Sequence, residues 1–399
     1  MAININAKTT GVGGLETSAD NSGNINIQSG GTTVMSVTSS GVAVTGSFSQ
    51  NGAVYSTQPS FRNLIINGDM RIDQRNAGAS VTPSAGNTYT LDRWLASANQ
   101  ASKFTVQQNA ASITPPSSFK YYLGATSSSA YSVLTGDYLN IQQRPEGFNV
   151  NHLGWGTSAA KTVTLSFWVR SSLTGTFGGA IKDNTNNYSY PYSYTISSAN
   201  TWEQKSITIA GPTAGSWSST TGIGMQVLWS LGAGATYSGT AGSWSANDYR
   251  SVTGATSVVG TSGATFYITG VQLEVGSTAT DFENLPYDVQ LARCQRYYYR
   301  NSADSNYMSY ASGRANSTTV GVFTYNHPVT MRASPTYTQS GTGVNTPSQI
   351  TTTSLGTIYA GKNSSFVTVN VASGLTAGYG LLWNSNNNTT SYVEANAEL

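Results

Sequence analysis

Two strand-like runs outline the architecture that this sequence encodes: Asn63-Leu64-Ile65-Ile66-Asn67-Gly68-Asp69 and Ala264-Thr265-Phe266-Tyr267-Ile268-Thr269-Gly270-Val271-Gln272-Leu273-Glu274-Val275-Gly276. Each run is apolar and is bounded by Gly, Asn or Thr, which is typical of a β-strand between turns. The two runs lie far apart in the sequence. We therefore expect them to be the first and last strands of one large antiparallel β-sandwich.

The composition also favours an all-β protein. Only 9% of the 399 residues are charged, whereas charged residues make up roughly 25% of ordinary soluble domains. The chain has 42 Gly and 24 Tyr, so turn residues and strand-forming aromatics replace charged helix formers. Disorder is disfavoured because it needs few aromatics and high net charge. At this length we expect two or three domains.

The charge and cysteine content exclude several classes of partner. The formal net charge is +2 and no run of Lys or Arg occurs, so a nucleic-acid partner is not expected. A single cysteine, Cys294, allows no intramolecular disulfide. No apolar stretch reaches the ~18 residues of a membrane span, and residues 1–6 lack the pattern of a signal peptide. We expect synthesis in a cytoplasm, no membrane insertion and no export by the ordinary secretory route.

Residues 1–60 differ from the rest of the chain. Short Val/Ile alternations recur in 24–28, 33–37 and 41–45, separated by Gly and Ser. Each offers few apolar side chains against the ~1–2 kcal/mol of backbone entropy lost per ordered residue. We predict a thin β shaft or docking segment that three copies complete by winding together. A disordered linker is the alternative.

Residues 61–285 predict a large jelly-roll sandwich. Gly-, Ser- and Asn-rich turns join at least eight strand-like runs, namely 63–70, 102–107, 138–143, 161–170, 188–196, 202–209, 225–229 and 265–275. Residues 286–399 open with one helix, Pro286 to about Tyr297, where Pro suits the first turn. Short β runs follow and predict a small C-terminal β domain.

Three segments of these regions resemble a domain common in bacteriophage tail-fibre proteins: 63–70, Leu91-Asp92-Arg93-Trp94 and 269–283. That domain is similar to the jelly-roll carbohydrate-binding modules of glycanases. Residues 291–298 and 331–336 resemble the C-terminal domain that often follows it, and residues 1–60 resemble the shaft of such fibres. The resemblance implies a homotrimer on the virion that mediates attachment to the host surface.

A row of tyrosines is the first candidate binding site: Tyr188, Tyr190, Tyr192 and Tyr194. Because side chains alternate along a strand, all four rings lie on one face. Exposed, that face would suit the flat C–H faces of sugar rings. Packing against a partner chain and burial in the core are the alternatives, although four hydroxyls in a dry core would each need a partner.

Tryptophans near the long Gly/Ser-rich loops are the second candidate. Trp217, Trp229 and Trp244 bracket these loops, whereas Trp94, Trp168 and Trp202 lie in strand-like patterns and are expected in the core. Residues 244–250 combine two rings, Trp244 and Tyr249, with the acid Asp248, the amide Asn247 and the guanidinium of Arg250, which is a reasonable set for sugar recognition. Each loop tryptophan either contacts ligand or caps the end of the sandwich.

Metal and catalytic sites have weaker support. Four carboxylates could supply the oxygen ligands that Ca²⁺ prefers, namely Asp69, Glu274, Asp281 and Glu283. Their spacing is not diagnostic, and no cofactor is expected. His152 and His327 stand in no metal-binding pattern. Asp137 and Asp248 are candidate acids, but no motif joins them as the carboxylate pair of a glycosidase.

Together with the resemblance to tail-fibre domains, these residues predict a non-enzymatic virion protein, a homotrimeric tail fibre or receptor-binding appendage that adheres to a host glycan or other receptor. Residues 1–60 would bind other tail or capsid proteins. One alternative is a capsid decoration protein with a purely structural role. A glycan-cleaving tailspike is the second.

Overall fold

The computed structural model describes residues 61–185 and 187–399 continuously, and 3–7, 15–16, 24–29, 31–39, 41–44, 48–50 and 53–55 before them. The chain divides into two compact units, Met1–Arg62 and Asn63–Leu399. Among the described residues no helix has the length and apolar character needed to cross a membrane.

The described residues of the first unit lie largely in short strands, as its alternation predicts. Five form one sheet in the order β2-β1-β3-β4-β5, and β6 pairs with β7. Its strands are β1 (Ile3–Ala7), β2 (Leu15–Glu16), β3 (Ile25–Ser29), β4 (Thr32–Thr38), β5 (Gly41–Val44), β6 (Phe48–Gln50) and β7 (Ala53–Tyr55). The described side chains of residues 24–29, 31–39 and 42 are all half-buried or exposed. None of these described side chains is fully buried within one copy of the chain.

The second unit begins with an antiparallel β-sandwich, which confirms the predicted fold class. A five-stranded sheet, β10-β11-β20-β13-β16, faces a six-stranded sheet, β15-β14-β17-β12-β9-β8. The strands are β8 (Gly86–Leu91), β9 (Trp94–Ala98), β10 (Phe104–Gln108), β11 (Leu123–Ser127), β12 (Tyr138–Gln143), β13 (Val163–Ser171), β14 (Gly175–Lys182), β15 (Ser189–Ile196), β16 (Glu203–Ile209), β17 (Gln226–Ala233), β18 (Ser238–Gly239), β19 (Ser251–Val252) and β20 (Thr265–Val275). A single helical turn, α1 (Gly147–Val150), and two 3₁₀ turns, Asn151–Leu153 and Ala235–Tyr237, lie in its loops.

The sandwich core forms where the alternating apolar residues of the two sheets meet. Along β13, Leu165, Phe167 and Val169 point inward and are fully buried. Phe167 packs edge-on against Trp229 of the opposite sheet, with ring centroids 5.6 Å apart. Such offset aromatic contacts add to the stabilisation that burial gives.

The first of the two predicted outer strands is not a strand. Residues 63–70 form irregular structure and turns, although β20 lies at the centre of its sheet. Asn63 Oδ1 accepts hydrogen bonds from Ile65 N and Leu273 N, and Asn67 adopts a positive φ of 59°. Asn side chains that bind nearby backbone compete with a strand ladder in this way. The segment still lies beside β20, because Leu64 N donates to Leu273 O over 2.9 Å.

The C-terminal part adds one helix and a second β core. The helix α2 spans Tyr287–Gln295, close to the predicted bounds. The strands are β21 (Tyr298–Ser302), β22 (Ser309–Ala315), β23 (Val320–Asn326), β24 (Thr336–Ser340), β25 (Gly343–Thr346), β26 (Ser348–Ala360), β27 (Ser364–Val371), β28 (Gly380–Asn384) and β29 (Tyr392–Asn396). Six of them close into a barrel, β22-β23-β27-β26-β25-β28, and β21-β29-β24 form a small sheet.

The helix joins this part to the sandwich. Cys294 is fully buried beside Ile66, Ile72 and Tyr297, so the lone thiol is a packed core residue. Burial raises the pKa of the Cys294 thiol well above its usual range. Arg296 donates to the buried Glu146 carboxylate over 2.7 Å and 2.9 Å, which ties α2 to the loop before α1.

Candidate functional site

The structure divides the tyrosine row between the core and the surface. Tyr190, Tyr192 and Tyr194 alternate along β15 and pack in or against the sandwich core, whereas Tyr188 lies one residue before the strand. Tyr192 and Tyr194 are 1% and 7% exposed, so the expected exposure is wrong for both. Tyr192 Oη donates to Leu228 O over 2.8 Å, whereas the Tyr194 hydroxyl is buried with no partner. Burial raises the pKa of both phenols well above the usual range.

The other half of the row joins a tryptophan at the edge of the sandwich. Tyr188 and Tyr190 are half-buried, and Trp244 packs against both. The rings of Tyr188 and Trp244 are stacked with 5.4 Å between centroids and only 4° between their planes. Tyr190 meets the same indole at 5.3 Å and 59°. The structure thus brings together three of the predicted site residues.

Two further tryptophans complete the group. Trp217 meets Trp244 edge-on at 5.7 Å. Trp155 meets Trp217 at 4.9 Å and Trp244 at 5.5 Å, both at 80°. We call Trp155, Tyr188, Tyr190, Trp217 and Trp244 the aromatic cluster. The sequence analysis missed Trp155, although its position between Gly154 and Gly156 marks it as a turn residue next to the other loops.

Backbone hydrogen bonds fix the three indoles of the aromatic cluster. The N–H groups donate to backbone carbonyls over 2.8–2.9 Å: Trp155 to Lys161, Trp217 to Ala214 and Trp244 to Ala210. With their donors already bonded, these residues can offer a ligand only ring faces and edges. These three rings are preorganised, because each is fixed by the hydrogen bond of its own N–H group and by packing against the neighbouring rings.

A buried carboxylate holds the two loops that carry this cluster. Asp183, 1% exposed, accepts hydrogen bonds from Tyr188 N over 3.3 Å and from Ser216 N over 3.1 Å. Gly215, next to Ser216 in one of these loops, has a φ of +94°. A Cβ at this position would come within 3.0 Å of both Tyr188 and Trp217. The close ring packing therefore depends on glycine at this position.

A small cavity of about 150 Å³ opens beside the aromatic cluster. Trp155 and Trp217 form its aromatic side, Val150 and Met225 its apolar side, and Asn151 and Ser218 are among its polar residues. The cavity is smaller than the ~300–1,000 Å³ of typical small-molecule pockets. It can receive a small group, while any longer ligand must lie along the surface.

The polar residues predicted beside Trp244 are bound to one another instead of being displayed. Asp248 contacts the ammonium of the fully buried Lys182, and Arg250 Nη2 lies 2.8 Å from Asp248 Oδ2. Burial lowers the pKa of Lys182 to about 8, with the nearby Arg250 acting in the same direction. Arg250 also stacks on the Tyr138 ring at 3.7 Å. Asp248 and Arg250 therefore form a structural ion-pair network with Lys182. Tyr249, between them in the chain, packs against Gly239.

The remaining residues singled out by the sequence analysis are buried in the core or bonded to other residues of the chain. Trp229 is fully buried in the core. Glu283 accepts from Asn63 N over 3.0 Å and Glu274 from Thr280 N over 2.9 Å, while Asp69 pairs with Arg71. Among the described residues, no group of three His, Cys, Asp or Glu side chains is placed to hold a metal ion.

The two candidate acids are also anchored. Desolvation acts to raise the pKa of Asp137, but hydrogen bonds from Tyr131 Oη at 2.6 Å and Leu134 N at 2.9 Å outweigh it and hold that pKa below its usual range. A general acid needs the opposite shift. Of the histidines, His327 is bonded to Lys362 O and Tyr337 Oη, and burial lowers the pKa of His152.

Several solved structures are similar to part of the chain. One is the enzymatically active domain of tailspike protein 4 of bacteriophage CBA120, at 11% identity and a TM-score of 0.28, over 54% of this chain and 22% of that one. Another is TmCBM61 in complex with β-1,4-galactotriose, at 12% identity and 0.28, over 54% and 99%. A third is the family 11 carbohydrate-binding module from Clostridium thermocellum with a mixed-linked tetrasaccharide, at 11% and 0.25, over 51% and 100%. No family model matches the chain, and no curated protein is similar to it.

Proposed function

We propose that this chain is a non-catalytic glycan-binding protein of a phage virion, acting as a tail fibre or receptor-binding appendage. The aromatic cluster is the observation that carries the proposal. It holds five preorganised rings at the edge of a sandwich, and all but Trp155 are half-exposed. Rigid aromatic surfaces lose little conformational entropy when they bind.

Binding without chemistry fits the surroundings of the acidic residues. Asp137 anchors a turn and Asp248 pairs with Lys182 and Arg250. Neither carboxylate is placed as a free proton donor beside the aromatic cluster. We therefore prefer adhesion over a glycan-cleaving tailspike.

The virion location and the trimer rest on other features. The phage assignment comes from the resemblance of residues 63–70 and 269–283 to the tail-fibre domain. The trimer is supported by the half-exposed apolar side chains of residues 24–42, of which Ile25 is 42% and Val42 60% exposed. Three linked copies would raise avidity over single-site affinity by about 10²–10⁴.

A binding experiment tests the proposal directly. Purified protein is applied to an array of bacterial surface polysaccharides beside the Trp244→Ala and Trp202→Ala variants. Trp202 is a matched control, since it is half-buried, bonded to Thr114 O through its N–H, and outside the aromatic cluster. We expect Trp244→Ala to lose binding and Trp202→Ala to keep it. Equal binding by all three proteins would contradict the role of the cluster.

Sedimentation tests the trimer. We expect a mass of about three times the 41.9 kDa subunit at micromolar concentration. A variant lacking residues 1–60 should dissociate more readily. A monomeric full-length chain that still binds glycan would remove the avidity argument and leave the binding proposal standing.

The capsid decoration protein remains the second candidate. It would share the fold and lack the binding. Immunogold labelling of virions distinguishes the two locations, because a tail fibre is labelled at the tail and a decoration protein over the head.

A further inference from the structure

A second cleft lies on the outer face of the five-stranded sheet, away from the aromatic cluster. Its volume is about 460 Å³, within the usual range for ligand sites. Trp168 and Ser166 of β13, Gln204 of β16 and Gly270 of β20 form the floor. Residues 117–119 line one side and 280–284 the other. The cleft and the aromatic cluster share no residue.

Trp168 is the central residue of this cleft and was expected in the core. It points outward because Phe167 and Val169, its neighbours on β13, point inward. The pairing of β13 with β20 shifts register between Ser166 and Trp168, which leaves Gly270 and Val271 opposite Phe167. Such bulges re-aim side chains and are common next to functional sites.

The Trp168 indole differs from the other tryptophans in having neither a hydrogen-bond acceptor nor a ring contact among the described residues. Five of the eight tryptophans donate their N–H to a backbone carbonyl: Trp94, Trp155, Trp202, Trp217 and Trp244. Trp229 and Trp383 are fully buried and their N–H groups have no acceptor, but each indole packs against other aromatic rings. Trp168 is half-buried, and within the described part of the chain its ring stacks on no other ring and its N–H has no acceptor.

The polar side chains on the same floor are also available to a ligand. The Gln204 amide and the Ser166 hydroxyl form no hydrogen bond to any described residue. A half-exposed indole, a primary amide and a hydroxyl lie together on adjacent, paired strands, since Trp168 is the direct partner of Gln204. These groups match the apolar face and the hydroxyls of a sugar ring.

Packing fixes the shape of the cleft before any ligand arrives. Phe119 on one side and Phe282 on the other meet edge-on, with centroids 5.1 Å apart. Phe119 rests on Gly270, which has a φ of +59° and where a Cβ would lie 2.6 Å from the ring. Ser118 at the rim has a φ of 80°, and such strained non-glycine residues cluster at functional sites.

The geometry points to a second, independent carbohydrate site in this cleft, one that takes a neutral glycan. Asp281 is the one charged residue among those lining it. The hydroxyl, amide and indole groups of the floor suit an uncharged chain of hexose or pentose rings.

Affinity electrophoresis can test this inference in gels containing laminarin, xylan, galactan, mannan or, as the anionic control, polygalacturonate. The wild type is compared with Trp168→Ala, Gln204→Ala, the cluster variant Trp244→Ala and the control Trp202→Ala. We expect at least one neutral polysaccharide to retard the wild type. Trp168→Ala and Gln204→Ala should weaken that retardation by about tenfold or more, as truncation of a binding hot spot does, while Trp202→Ala retains it.

A second measurement keeps the test independent of folding effects. In protein labelled with 5-fluorotryptophan, the ¹⁹F resonance lost in Trp168→Phe identifies Trp168, and oligosaccharides of the retarding polysaccharide should shift that resonance. No retardation by any neutral polysaccharide, retardation unaffected by Trp168→Ala and Gln204→Ala, or an unshifted Trp168 resonance would each overturn the inference. If only Trp244→Ala reduced the retardation, the polysaccharide would bind at the aromatic cluster and the inference of a second site would be wrong.

Discussion

At the scale of single residues, hydrogen-bond partners separate side chains that the sequence makes look equivalent. Tyr192 and Tyr194 occupy the same face of β15, and both are buried. Only Tyr192 has an acceptor for its hydroxyl, the carbonyl of Leu228. An unsatisfied buried hydroxyl is unfavourable, whereas a bonded one contributes about 1 kcal/mol.

Removing each hydroxyl should therefore have different effects. We expect Tyr192→Phe to lower the free energy of unfolding by about 1 kcal/mol, because the Leu228 carbonyl loses its donor. Tyr194→Phe should be neutral or stabilising. Urea unfolding of both variants measures the difference, and a larger loss for Tyr194→Phe would contradict this assignment.

A second residue-scale prediction concerns Asp92. Burial raises its pKa from 3.8 to about 7, although the Arg75 charge and a hydrogen bond from Gln74 Nε2 at 2.5 Å act to lower it. A raised folded-state pKa gives stability that is complete below the unfolded pKa and is lost as the pH rises through 7. The folded wild type should therefore lose stability between about pH 4 and pH 7.

The Asp92→Asn variant isolates this effect, since it lacks the titrating group. We expect the free energy of unfolding of the wild type, relative to the variant, to fall across that pH range and to level off above it. Urea unfolding at pH 4, 5.5, 7 and 8 provides the comparison. A constant difference at all four pH values would show that Asp92 does not titrate in this range.

At the scale of elements, alternation predicts strands well where the backbone is regular. It predicts β12 at its observed bounds, Tyr138–Gln143, and β15 within one residue. It fails at 63–70, where Asn63 and Asn67 use their side chains to bind backbone groups. It places Tyr190, Tyr192 and Tyr194 on one face of β15, but it does not indicate which side of the sheet is covered.

Glycine in β20 gives an element-scale prediction with a matched control. Gly270 and Gly263 both have positive φ, 59° and 70° respectively, so alanine is strained at either position by about 1–2 kcal/mol. A Cβ at Gly263 meets nothing within 4 Å, whereas one at Gly270 clashes with Phe119. We expect Gly270→Ala to be the more destabilising variant by an overpacking term of about 1–3 kcal/mol.

Thermal unfolding of the two glycine variants measures this difference. The same displacement of Phe119 should disturb the cleft, so Gly270→Ala should also weaken polysaccharide retardation. Equal destabilisation by the two substitutions would mean that Phe119 moves aside without cost.

At the scale of the whole molecule, buried ion pairs connect the two β cores of residues 63–399. Glu398 contacts the fully buried Arg93 and lies 2.9 Å from Arg75 Nη2. Arg332 donates to Glu398 O and to Thr221 O, both over 2.9 Å, and so bridges the residues that follow β29 and a sandwich loop. The sandwich and the C-terminal part should therefore unfold together.

Glu398→Gln tests this coupling. Removing one partner of a buried ion pair leaves an uncompensated charge and costs about 3–5 kcal/mol. The control is Glu203→Gln, whose partner Lys205 lies at the surface, where such a pair contributes about 0–1 kcal/mol. Calorimetry should show one transition for the wild type and a lower or divided transition for Glu398→Gln. Equal effects of the two variants would argue against the coupling.

The amino-acid sequence alone determined the fold class, most strand positions, the helix α2 and the grouping of aromatic residues near the loops. These follow from local chemistry, because side-chain alternation, turn residues and aromatic content act within a few neighbours in the chain. Only the tertiary structure decided which face of each strand is covered. It buried Tyr192 and Tyr194, turned Trp168 outward, placed Trp155 against Trp244, and paired Asp248 with Lys182. Those outcomes depend on contacts between segments far apart in sequence, and no local pattern records which distant segment will cover a given face.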